Sequence, residues 1–135
     1  MMLSRLTCRD SPAHDASMAD PGHFPLTDST REGVAARFRA LGEPMRLRIL
    51  ERLFESPASV GEILDAVGGT QANISKHLAL LHAGGLVGRR KDGTRTVYSI
   101  ADPTLMKICS IVCDGVVREA RERAEAILGA SRRRR

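Results

Sequence analysis

The sequence predicts a mainly α chain that carries one small β-hairpin. Three observations point there. Apolar residues recur at helical spacing through several stretches, each bounded by a capping residue, a proline or a glycine pair. Residues 86–100 instead read as two strands around Asp92-Gly93, a strong hairpin signal. Aromatics are scarce, with three Phe, one Tyr and no Trp. The core must then come from Leu, Ile, Val and Ala, which suits helix packing better than a β-sandwich. A length of 135 residues argues for one domain with a modest core.

The elements follow in order. Residues 1–27 carry Pro12, Pro21, Gly22 and Pro25 among small polar residues, without a sustained period. They are expected to form a disordered N-terminal arm. Met18 is a candidate alternative start, which would remove Cys8. The folded domain is expected over 28–128. Val34, Phe38 and Leu41 mark a first helix that Gly42 ends, and Pro44 suits the first position of a second. Leu47, Leu50, Leu53 and Phe54 form the second stripe, closed by Ser56-Pro57. Ser59 with Glu62 reads as a capping box for a short third helix with Val60, Ile63, Leu64 and Val67. Gly68-Gly69 ends it.

Thr70 can cap a fourth helix with the seam Ile74, Leu78 and Leu81, stopped by Gly84-Gly85. The strands 86–91 and 95–100 come next. Asp102-Pro103 opens a last helix reaching about Leu128, with Leu105, Ile108, Val112, Val116 and Ala120 on one stripe. Residues 129–135 are expected to be a basic disordered tail. A short helix, a glycine turn, a second helix and a hairpin make a winged helix-turn-helix.

Composition sets limits on function. No apolar run approaches the length of a membrane span, and the N-terminus lacks the apolar region of a secretory signal, so a cytoplasmic protein without a membrane partner is expected. Three cysteines, Cys8, Cys109 and Cys113, argue against a disulfide framework. The net charge of +5 includes four charges from Arg132 to Arg135, so overall charge says little about nucleic acid. No phosphate loop, nucleophile elbow or His-rich constellation is present, and an enzyme is not expected.

Local arrangement says more. The second helix of a helix-turn-helix enters the major groove, with its N-terminal residues at base edges. With the Ile74, Leu78, Leu81 seam inward, Ala72, Lys76, Ala79 and Ala83 lie opposite, at about 100° per residue. Gln71, Asn73 and Ser75 flank the first turn. Gln and Asn can pair adenine bidentately, and Ser and Lys are flexible donors. His77 lies nearer the seam, as a packing or positioning residue. In the hairpin, Arg89, Arg90, Lys91 and Arg95 suit phosphate contact or a minor-groove probe. Tyr98 is expected to fill the wing's root.

Residues 34–128 resemble the ArsR family of bacterial winged-helix repressors, through "RALGEPMRLRILERL" (39–53), "TQANISKHLALLHAGGLV" (70–87) and "RRKDGTRTVYSI" (89–100). The resemblance implies a homodimer, joined through its first and last helices, that represses from palindromic double-stranded operator DNA until an effector releases it. It matches Gln71, Asn73, Ser75, Lys76 and His77 to the family's recognition-helix positions, with Thr70 as cap, and 91–95 to its wing tip. Two family patterns are missing. Arsenic-sensing members carry Cys-x-Cys in the third helix, which here reads "SVGEILDAV". Zinc-sensing members place Asp and His on the last helix, which here has Asp102 and no His.

Cys109 and Cys113 stand at i, i+4 on one helical face, at the edge of the apolar stripe. Their Cβ separation of about 5–6 Å is poor for a mutual disulfide, which needs about 3.8 Å. Two such thiolates can chelate a thiophilic effector such as As(III) or Sb(III), with Cys8 as a candidate third ligand. No obligatory cofactor is expected. Three alternatives stay open: redox or reactive-sulfur sensing, purely structural cysteines, and a winged helix used for protein contacts.

Overall fold

The computed structural model describes residues 25–134. The expected N-terminal arm up to residue 24, with Cys8 and Met18, lies outside the described residues, as does Arg135. The chain divides into two compact units, one ending at Pro103 and one containing residues 104–135. The first holds α1 (Asp28–Leu41), α2 (Pro44–Glu55), β1 (Ala58–Ser59), α3 (Val60–Val67), α4 (Gln71–Ala83), β2 (Val87–Asp92) and β3 (Arg95–Ile100). The second holds α5 (Thr104–Arg133).

Each helix start has a local cause. Thr27 caps α1 by accepting from the Thr30 N–H, and Glu43 caps α2 by accepting from the Arg46 N–H. Pro44 takes the first turn of α2, where its missing N–H costs nothing. Arg46 then reaches back to the carbonyls of Ala40 and Arg39, tying the end of α1 to the start of α2. Ser59 and Glu62 form the full capping box of α3. Ser59→Ala removes one half of it and is expected to cost about 1 kcal/mol. A lower urea midpoint at unchanged slope would register that loss, and an unmoved midpoint would contradict it.

The turn from α3 to α4 needs two left-handed residues in succession. Gly68 and Gly69 have φ of +77° and +91°, which a side chain would make costly. At the other end of α4, the Leu86 N–H bonds the Leu81 carbonyl and the Gly85 N–H bonds that of His82. This is a Schellman ending, and its apolar pair Leu81 and Leu86 is buried.

The core of this unit is aliphatic, as the composition requires. Ile49, Leu50 and Leu53 come from α2, Ile63 from α3, and Ile74, Leu78 and Leu81 from α4. Leu86, Val87, Val97 and Tyr98 close it from the hairpin. The buried face of α2 is turned from the expected stripe: Ile49 is fully buried and Leu47 is exposed. Tyr98 is buried at the wing's root, as its ring size favours.

The sheet has three antiparallel strands in the order β1-β3-β2, one more than the sequence pattern indicates. β1 pairs Ala58 with Tyr98 and Ser59 with Val97. The hairpin closes on Asp92 opposite Arg95, so its two-residue loop is Gly93-Thr94 rather than one centred on Asp92-Gly93. Glycine leads this loop with φ of +63°, and Thr94 keeps a negative φ, the pattern of a II′ turn.

α5 spans 30 residues, about 45 Å at 1.5 Å per residue. It starts at Thr104 and continues to Arg133, beyond the expected end at Leu128 and through most of the expected disordered tail. Ala and Arg are good helix formers, and the arginines of the last turn face the negative end of the helix dipole. No helix among the described residues is long and apolar enough to cross a membrane.

Candidate nucleic-acid interface

The first turn of α4 presents a polar edge on a fixed base. Ile74, Leu78 and Leu81 are each 0% exposed, so the helix cannot rotate without opening the core. Thr70 accepts the Asn73 N–H at 3.2 Å and holds the N-terminus. Gln71, Asn73, Ser75 and Lys76 are exposed, and so are Thr70, Ala72 and Ala79. Small residues among the polar ones let a helix approach a groove closely. The orphan N–H groups of the first turn add positive potential for phosphate.

His77 belongs to a different environment. Its side chain is 12% exposed, and its Nδ1 lies 3.8 Å from Glu43 Oε2. That nitrogen is buried without a hydrogen-bond partner, and the contact is an ion pair only with a protonated ring. His77 therefore lies between α4 and the start of α2, mostly covered. Glu43 itself is occupied by the Arg46 N–H, which holds its carboxyl below the ordinary carboxylate value.

The wing exposes Arg89, Arg90 and Lys91 along β2 and Arg95 at the start of β3. Arg95 differs from the other three. Its guanidinium is ion-paired with Glu62 of α3. The Arg95 hydrogen bond, with help from the Ser59 N–H and Arg52, keeps the Glu62 carboxyl below its ordinary value. Sequence reasoning assigns Glu62 only to the capping box. Its partner is 33 residues away, and no local period connects them.

On α5, Cys109 is a half-buried thiol, whereas Cys113 is disulfide-bonded. A two-thiolate chelate at this pair thus requires Cys113 in its reduced form. Among the described residues no three His, Cys, Asp or Glu side chains gather as a metal site. Leu105 is the buried apolar residue of α5, while Ile111, Val112, Val116, Ile127 and Leu128 are each more than half exposed. On α1, which buries no residue, Val34 and Phe38 are exposed as well.

A docked helix with a polar leading edge, followed by a cationic hairpin, defines a winged helix-turn-helix DNA-binding protein. Known proteins agree. A family described as "Helix-turn-helix domain" matches residues 41–90. The HTH-type transcriptional regulator Rv0081 of Mycobacterium tuberculosis is 41% identical over 75 residues, 55% of this chain and 66% of that regulator. Its crystal structure superposes with a TM-score of 0.66 at 34% identity, covering 73% of this chain and 99% of that one. A probable mercury resistance operon repressor of Streptomyces lividans is 34% identical over 93 residues, 69% of this chain and 72% of its own. The homodimeric winged helix-turn-helix DNA-binding domain of a possible ArsR-family regulator from Mycobacterium bovis has a TM-score of 0.61 at 30% identity, covering 80% and 94%. The chain belongs to the ArsR family of winged helix-turn-helix transcriptional regulators, and it is a regulator rather than an enzyme.

Proposed function

We propose that this protein is a homodimeric repressor that reads palindromic operator DNA with α4, grips the backbone with its wing, and releases DNA when an effector acts at Cys109 and Cys113. The observation that carries the DNA reading is the contrast along α4. Its seam is fully buried, while Gln71, Asn73, Ser75 and Lys76 are all exposed. Arg89, Arg90 and Lys91 supply the phosphate contacts of this reading.

Dimerisation is supported by apolar surface that one chain leaves uncovered. Val34 and Phe38 on α1, and the α5 stripe through Val112 and Val116, are exposed in the single chain. A helix with one such face calls for a partner surface. A second copy through α1 and α5 fits, and the Mycobacterium bovis domain is a homodimer.

The effector in this reading is a thiophilic ion such as As(III) or Sb(III), held by reduced Cys109 and Cys113, with Cys8 as third ligand. Kinship with a probable mercury resistance repressor favours it. A second reading has its own support, because Cys113 is disulfide-bonded. In that reading oxidation and reduction at Cys113 are the signal. A release assay separates them. Reduced protein on DNA is challenged with As(III), Sb(III) and polysulfide, alongside the Cys109→Ser, Cys113→Ser double variant. The variant is expected to bind DNA normally and to ignore the inducer that releases the wild type. A variant still released by that inducer excludes a thiol sensor at this pair.

A further inference from the structure

The wing has a mechanical problem that one carboxylate addresses. β3 runs from Arg95 to Ile100, but β1 pairs only with Val97 and Tyr98. From Thr96 outward the hairpin is a two-stranded ribbon, and such ribbons are marginal by themselves. Lys91 lies on this ribbon, opposite Thr96, while Arg89 and Arg90 precede it, opposite Tyr98 and Val97 where β1 also pairs. A cation aimed at a phosphate backbone loses affinity if the ribbon that carries it, or that continues from it, swings.

Arg95 lies at the outer end of β3, across the turn from Asp92. It pairs with Glu62 Oε1. The other oxygen, Oε2, accepts the Ser59 N–H at 3.4 Å and lies 3.9 Å from Arg52 Nη2 on α2. Ser59 is also the β1 residue that pairs with Val97. One side chain thus meets α2, the β1–α3 junction and the outer wing. Arg52 is 19% exposed, whereas Arg95 and Glu62 are 56% and 45% exposed, so the link to the wing is a surface ion pair backed by one half-sheltered cation.

We propose that Glu62 is a positioning residue for DNA binding, which fixes the wing through Arg95. In this arrangement Arg95 anchors the wing, and the phosphate-directed cations are Arg89, Arg90 and Lys91. The proposal rests on the reading of the wing as a backbone grip.

The test uses the full chain and a duplex selected from random DNA by the wild-type protein. Affinity is measured at several salt concentrations for Glu62→Gln, Arg95→Gln, their combination, and Arg90→Ala. Gln keeps the capping geometry of α3, so a melting curve close to wild type separates wing position from folding. Glu62→Gln and Arg95→Gln are each expected to weaken binding about three- to tenfold, the scale of a surface ion pair lost from two wings. The combination should be no worse than either single change, because both break one link. The salt slope should stay at the wild-type value, since no phosphate contact is removed. Tighter binding by Glu62→Gln with a steeper slope would overturn the proposal, because Glu62 would then be masking a phosphate ligand. So would a slope reduced by about 0.9 per protomer in Arg95→Gln with Glu62→Gln silent. Silent Glu62 and Arg95 variants beside a weakened Arg90→Ala would overturn the anchor alone. A silent Arg90→Ala would overturn the wing reading beneath it.

Discussion

Lys76→Ala combined with Arg90→Ala is expected to weaken binding to a selected operator about 10²- to 10³-fold, without loss of fold or oligomeric state. Both residues are exposed, and neither side chain is placed in the core, so stability should move by less than about 0.5 kcal/mol. Their losses on DNA differ in kind. Lys76 is exposed on α4, and in the proposed reading it faces the groove, where a base-edge contact is worth about 1–3 kcal/mol. Arg90 stands on the wing, and its removal should lower the salt slope by about one per lost phosphate contact. In a dimer each loss occurs twice. Anisotropy titrations at several salt concentrations would show both effects. Unchanged affinity at moderate salt would remove the basis for reading α4 and the wing as the DNA interface.

Leu78→Ala is expected to destabilise the protein by about 2–5 kcal/mol. Leu78 is fully buried between Ile74 and Leu81 on the α4 seam, and its loss leaves a cavity under the reading helix. Domains of this kind have about 5–15 kcal/mol in total, so the variant should melt far below the wild type. DNA binding should fall in step with the unfolded fraction and recover on cooling. Urea denaturation gives the number directly. A loss under about 1 kcal/mol would mean that the seam is not what fixes α4.

Much of this was legible in the sequence because its signals are local. Thr70 and Ser59 mark helix starts through bonds within one turn, Pro44 marks one through its fixed φ, and the Ile74, Leu78, Leu81 period names the inner face of α4. Where the structure departs, the cause is distant. β1 is two residues long, too short to show alternation, and it exists because Val97 and Tyr98 lie beside it. Ile49 displaces Leu47 from the core because the neighbouring elements, not the period of α2, choose between adjacent stripes. The Arg95–Glu62 pair joins residues 33 apart. His77 was half legible: its rotation on the helix placed it near the seam, but nothing local named Glu43 as its neighbour. The chemistry of Cys109 and Cys113 depends on oxidation state, which spacing does not encode.

The pairing of β1 with β3 has a consequence for how the chain folds and for what can be moved. Its register links residue 58 to residue 98, so it forms only after a loop of about 40 residues has closed. Contacts of such separation are slow to form. The hairpin turn at Gly93-Thr94 can nucleate early, but the wing's lasting shape must wait for the helices between. A peptide of residues 70–100, grafted elsewhere as a reading unit, would carry the recognition helix and both long strands yet leave behind Ala58 and Ser59. It should neither fold nor bind like the original, because the α4 seam loses Ile49, Leu50, Leu53 and Ile63 from α2 and α3, and the wing's orientation is stored in a part of the chain that precedes the helix it serves.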